Sequence, residues 1–341
     1  MLEAQGAIRL SSAGTPDQGA RWFRPLLRIL SPEGSRGRLT ILIFHRVHER
    51  PDTLFPNEIH ADVFRERMRW IRSSFNVLSL DDAVTALAQG NIPARALAIT
   101  FDDGYADNFT VALPILRELG LSATFFIATG FLDGGRMWND TVIEAIRDAK
   151  GNELDLTMVG LGVFRGDSPE GRRNAIEAIL GRLKYLPPRE RLERADSIAA
   201  IARVEPPGNL MMSGEQIREL ARAGMGIGGH TVSHPILARL DEASARQEIS
   251  DGRDALEALT RQPVHFFAYP NGKPLRDYTA AHVRMVKSLG FRAAVSTAHG
   301  AARVGDTLYE LPRFTPWGRT SARWGWWLAR NFSSPTERAP A

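Results

Sequence analysis

An α/β fold built on a parallel sheet is the class this sequence predicts, and three observations point to it. Short apolar runs alternate with longer amphipathic stretches along most of the chain, the rhythm of βα units. One such run, Ala96-Leu97-Ala98-Ile99, leads straight into Thr100-Phe101-Asp102-Asp103-Gly104-Tyr105, which sets two adjacent carboxylates where a buried strand should end. Gly104 permits the sharp turn that exposes side chains at the strand's carboxyl end, where α/β folds keep their chemistry. The length, 341 residues, suffices for one large α/β barrel or for two smaller domains.

Residues 1–18 are polar, small and aperiodic and read as a disordered tail, as does the chain from Ser333. Ala20–Leu30 and Ala322–Arg330 mix Arg with Trp and Leu. Two readings stay open for them: packing onto the domain, or peripheral contact with a membrane interface. Leu39–Phe44 is the first strand and runs directly into His45-Arg46-Val47-His48. A helix over 61–73, a short strand-like piece over 76–80 and a helix over 81–90 ending on Gly90 follow. After the strand before Asp102 come a helix around 106–120 and the strand Ala123–Ile127. Between Trp138 and Leu210 the rhythm changes to charged, Ala/Leu-rich stretches, a helical insertion with a small β-like piece near 154–164. Alternation then resumes: helix 213–223, strand 225–228, helix 241–259, strand 265–269, helix 279–289, strand 293–296.

Composition excludes more than it assigns. Lys+Arg of 43 against Asp+Glu of 39 gives +4, too mild an excess to mark a nucleic-acid partner. No cysteine is present, so disulfides and thiolate metal sites are excluded and any metal must use N and O ligands. No apolar run of eighteen residues and no signal-like leader stand out, which makes a cytoplasmic location the default expectation, with peripheral contact at the inner membrane left open through the termini.

Adjacent aspartates are costly unless a cation or a shared proton relieves their repulsion. Gly228-Gly229-His230-Thr231-Val232-Ser233-His234-Pro235 offers two imidazoles four residues apart, the reach of one helical turn. Two His and one carboxylate, with other positions left to water and substrate, form the ligand set of a catalytic divalent metal, and the second Asp is then free to act as a base.

With these residues the chain resembles the polysaccharide deacetylases of carbohydrate esterase family 4, the NodB-homology group, whose motifs (T/S)FDDG and H(S/T)xxH stand here as TFDDG and HTVSH. The resemblance spans about Leu39 to Phe314. It implies a distorted (β/α) barrel of about seven strands over residues 39–318, with the insertion at 138–210 and terminal segments at 1–38 and 319–341. Carried over by position, Asp102 would be the general base, and Asp103, His230 and His234 would hold the metal. The third motif bends: Phe266-Phe267-Ala268-Tyr269-Pro270-Asn271-Gly272 has Ala268 where the family expects an Arg. Tyr269 and Pro270 still suggest a strand end beside the pocket, and an N–H near Tyr269 or Tyr105 could serve an oxyanion. Arg313, in Leu311-Pro312-Arg313-Phe314, could supply the missing guanidinium. The family's last motif, a Leu-rich strand ending in His, is absent after Phe314 but present at Leu39–His45. That resembles the poly-N-acetylglucosamine deacetylases of biofilm systems, in which this strand is permuted to the front, and it makes His45 the candidate general acid. Trp138, with Asn139 and Asp140, could line the sugar cleft.

The resemblance implies metal-dependent removal of N-acetyl groups from N-acetylhexosamine units of a glycan or lipid-linked sugar. Zinc is the expected metal, with cobalt, nickel or iron as substitutes. Deformylation of a lipid-linked amino sugar would use the same residues. A non-catalytic glycan-binding relative is the reading from another class, and it leaves the intact Asp and His motifs unexplained.

Overall fold

The structure, a computed structural model, describes residues 16–315, 321–334, 336 and 338–339. The tails expected at 1–15 and at 335, 337 and 340–341 lie outside the described residues. The chain runs α1 (Pro16–Leu30), β1 (Arg38–Phe44), α2 (Ala61–Ser74), β2 (Asn76–Val77), α3 (Leu80–Gln89), β3 (Ala96–Phe101), α4 (Leu113–Glu118) and β4 (Thr124–Ile127). Next come α5 (Trp138–Asp148), the hairpin β5 (Glu153–Asp155) and β6 (Val163–Arg165), α6 (Pro169–Leu183) and α7 (Pro188–Ala202). It continues with α8 (Gly214–Arg222), β7 (Gly226–Gly229), α9 (Glu242–Thr260), β8 (Phe266–Ala268), α10 (Ala280–Ser288), β9 (Ala293–Val295), β10 (Ala302–Arg303) and α11 (Ser321–Asn331).

The main sheet has the order β10-β1-β3-β4-β7-β8-β9, with β2 on the early half of β3. All its neighbours are parallel except β10 against β1. Every residue of β3 and β4 is buried, so these strands read as unbroken apolar runs rather than alternating ones. The curl completes through Leu311–Phe314, which runs parallel between β9 and the later half of β1. Leu311 N–H donates to Ala294 O and Ser296 N–H to Leu311 O, both at 2.9 Å, while Phe314 N–H donates to Ile41 O at 2.8 Å. The architecture is therefore the curled α/β barrel that the sequence predicts, with the insertion α5–α7 packing around its own apolar cluster.

Three local expectations are corrected. The helix expected over 106–120 is continuous from 106 to 118 but carries a π segment at Asn108–Ala112 ahead of α4. Pro114, without an N–H and crowding the preceding turn, accounts for the widened turn. The strand-like piece 76–80 shortens to two residues because Ser79 caps α3 by accepting from the Asp82 N–H. At the termini, α1 begins at Pro16 inside the expected tail, and Ala339 is buried with its N–H donated to Glu310 Oε1 at 2.9 Å. Both terminal helices pack on the domain: Leu27, Trp324, Leu328 and Phe332 belong to the main core.

Candidate active site

In-register pairing decides which side chains meet. Phe44 sits opposite Phe101, and Asp102 N–H donates to Phe44 O at 2.9 Å, so His45 and Asp102 leave neighbouring strands side by side. Asp103 then turns through φ +77°, a region that Asp tolerates better than most residues, and Gly104 follows at φ +93°. A Cβ on Gly104 would lie 3.2 Å from Ile127 Cγ2, so the turn has little room for a side chain.

The two histidines converge through a loop and not through a helical turn, which corrects the reading of their spacing. Thr231 and His234 adopt φ of +66° and +52°. Such values strain a β-branched residue, and they persist here because α9 clamps the loop. Glu248 accepts from Val232 N–H at 3.0 Å, Ser233 N–H at 2.8 Å and Ser233 Oγ at 2.6 Å. One turn on, Gly252 lets the loop backbone approach, since a Cβ there would stand 2.8 Å from Thr231 C.

Asp103 Oδ1 lies 3.4 Å from His230 Nε2 and 3.5 Å from His234 Nε2. All three residues are candidates for holding a cation, with their donor atoms within 4.8 Å of one another. His230 Nδ1 is 2.7 Å from Ala268 O. A carbonyl only accepts, so Nδ1 carries the proton and Nε2 faces Asp103. Asp103 Oδ1 is buried and makes no well-formed hydrogen bond; the two imidazoles hold its carboxyl below the ordinary range, and a cation among them would complete its coordination. The donor set thus fits a divalent metal.

Burial pushes His234 down to about 4 despite Asp103, which leaves the ring neutral and its Nε2 lone pair available. For His230, burial is outweighed by Asp102 and Asp103, which raise it; a cation would displace the proton it attracts. Burial also disfavours charge on Asp102, but Arg313 and then His230 hold its carboxyl below the ordinary range. The Arg313 pairing is bidentate, at 2.6 and 2.7 Å, with both groups buried. Arg313 is itself oriented by Ser296 O, 2.9 Å from its Nε.

A cleft of about 690 Å³ opens in front of this cluster, lined there by His45, Asp103 and Tyr105. His45 also contributes to the electrostatic field at Asp102, Asp103 and His234. The Tyr105 amide has no acceptor among the described residues, while its hydroxyl donates to Asp140 Oδ1 at 3.1 Å and Arg46 lies over its ring. Tyr269 and Pro270 are buried away from the cleft. Tyr269 stacks on Tyr278 at 4.0 Å, gives its hydroxyl to Tyr309 O and its N–H to Val295 O, so its ring, hydroxyl and amide are all engaged within the protein. Trp138 packs under Arg191 against the insertion, and the cleft is lined instead by Asn139 and Asp140. Positioning residues that sequence reasoning missed are Glu248 and Asn108, whose Nδ2 holds His45 O at 2.8 Å. Their signal is tertiary, because each acts on a backbone far away in the chain.

The polysaccharide deacetylase family model matches residues 89–155 and 196–294, and the gap between these segments falls inside the insertion. The chain thus carries a polysaccharide deacetylase domain. YxkH of Bacillus subtilis (strain 168), whose own assignment as a polysaccharide deacetylase is provisional, is 22% identical over 278 residues, 81% of this chain and 70% of that one. Among solved structures, the Streptococcus pyogenes deacetylase PplD in complex with acetate superposes with a TM-score of 0.58 at 20% identity, covering 87% of this chain and 99% of that one. IcaB from Ammonifex degensii gives 0.55 at 18% identity over 88% and 98%. A de-N-acetylase from Aggregatibacter actinomycetemcomitans gives 0.53 at 15% identity over 86% and 99%. At these identities the likeness is one of fold.

Proposed function

We propose that the protein removes N-acetyl groups from N-acetylhexosamine units of a glycan or lipid-linked sugar, using a divalent metal held by Asp103, His230 and His234. The observation that carries this reading is Asp103 Oδ1, buried, unpartnered and facing both Nε2 atoms. Zinc suits two imidazoles and a carboxylate, and cobalt, nickel or iron share that preference. When bound, the ion would supply Lewis acidity to the acetamide carbonyl and to the attacking water.

The chain's own residues do the rest. Asp102, charged beside Arg313, accepts a proton from the attacking water. The free N–H of Tyr105 donates to the oxyanion that develops on the carbonyl oxygen. His45, at the neighbouring strand end, gives a proton to the departing nitrogen, so that acetate and a free amino sugar leave. Deformylation would use the same groups, and identifying the acid released, acetate or formate, separates the two substrates.

The test is acetate release from N-acetylated chito-oligosaccharides. A strong chelator should abolish it and Zn²⁺ or Co²⁺ restore it. His230→Ala and His234→Ala should lose the metal. Asp102→Asn and His45→Ala should keep it while kcat falls by roughly 10² or more. Full turnover in the chelated protein, or normal kcat in His45→Ala, would overturn the corresponding assignment.

A further inference from the structure

The paired terminal helices leave a surface that folding does not use. The Phe23 ring of α1 lies against Gly325 of α11, where a Cβ would stand 3.1 Å away, and Leu27, Trp324 and Leu328 are buried beneath. Yet Leu26 is 41% exposed, Ile29 77%, Trp326 61% and Trp327 38%. Four of the nine exposed large apolar side chains among the described residues therefore sit on these two packed helices, a concentration that single scattered residues do not produce.

Both helices carry an excess of positive charge. α1 contains Arg21, Arg24 and Arg28 against Asp17, and α11 contains Arg323 and Arg330 with no acidic residue. Arg95 adds to the concentration: burial, then Arg24 and Arg28, lower its guanidinium. A second copy docking face to face would set arginine against arginine. Exposed indoles beside arginines suit the headgroup layer of an anionic bilayer, where the rings reach the acyl boundary and the guanidiniums meet phosphate. Neither helix is long and apolar enough to cross a membrane.

We propose that the α1–α11 face docks on an anionic lipid surface. The cleft shares this support, because Trp324 of α11 lines it together with Arg67. Docking would hold the cleft beside the membrane, within reach of a sugar carried on a lipid. The docking itself does not rest on the reaction assigned above.

Co-sedimentation of the full chain with large unilamellar vesicles tests this. Vesicles of phosphatidylglycerol and phosphatidylcholine should bind the protein, pure phosphatidylcholine should bind it weakly, and added salt should release it. Ile29→Ser with Trp326→Ser should cut partitioning by about tenfold or more, through lost apolar burial. Arg24→Gln with Arg28→Gln should flatten the salt dependence. Both variants should keep wild-type circular dichroism and acetate release from a soluble oligosaccharide. Equal binding to both vesicle types, no binding at low salt, or vesicle binding unchanged by Ile29→Ser/Trp326→Ser would overturn the proposal. So would a dimer, seen by light scattering, that this variant abolishes without any vesicle binding by the wild type.

Discussion

Removing Arg313 while keeping Asp102 would strand a carboxylate in a place with almost no water. The two groups are bidentate and buried, so the loss is far larger than for a surface pair. Arg313→Met should cost about 3–5 kcal/mol in urea unfolding, the range for breaking a buried pair by one partner. Adding Asp102→Asn should recover much of that, since no charge is then left uncompensated. Additive losses in this cycle would mean that the pair contributes shape and not charge. Asp103 differs in kind. Its Oδ1 faces two imidazole nitrogens and is completed by a cation or by a proton on His230, whereas Asp102 has its partner built in.

At the scale of elements, the site is a meeting of strand ends and one strained loop. The loop's positive φ at the β-branched Thr231 is a strain that outside contacts must hold in place. Glu248→Ala, which removes the acceptor of three hydrogen bonds, should weaken metal affinity by about 10–100-fold, as loss of an outer-shell partner does. Calorimetric titration with Zn²⁺ measures this, and unchanged affinity would show that the loop holds itself. The difference between such supports and the ligands explains what the sequence revealed. Asp102, Asp103, His230 and His234 are legible because each pair is local, and His45 because an apolar strand runs straight into it. Glu248 is one polar residue among many on a charged helix. Tyr269 misled because a tyrosine and a proline before a turn look alike whether the ring faces a cleft or stacks in a core. Arg313 stood out only as a possible repair, since Leu311–Phe314 is too short to announce itself as the segment that completes the curl.

For the whole molecule, Asp140 links stability to pH. Burial raises its carboxyl to about 7 against the pull of Arg46 and the Tyr105 hydroxyl, while an unfolded chain releases that proton near 3.8. Between those values the folded state holds a proton that the unfolded state has lost, so this residue's contribution to stability falls as pH rises. Asp140→Asn has no such proton to lose. By calorimetry its Tm should gain on the wild type from about pH 4 to 7 and then level off, by roughly 5–10 °C if the difference is a few kcal/mol. A constant difference across that window would mean that Asp140 is ionised throughout. Arg313 adds a constraint of another sort, one of timing. Chains are made from the N-terminus, and strand β1, the aspartates and the histidine loop all precede position 313. A nascent chain that has not reached that arginine holds every proposed metal ligand but cannot close the Leu311–Phe314 gap or pair its base. Pairing of the proposed base is then among the last contacts that synthesis permits, and an interrupted product would contain every proposed ligand without the arginine that holds Asp102.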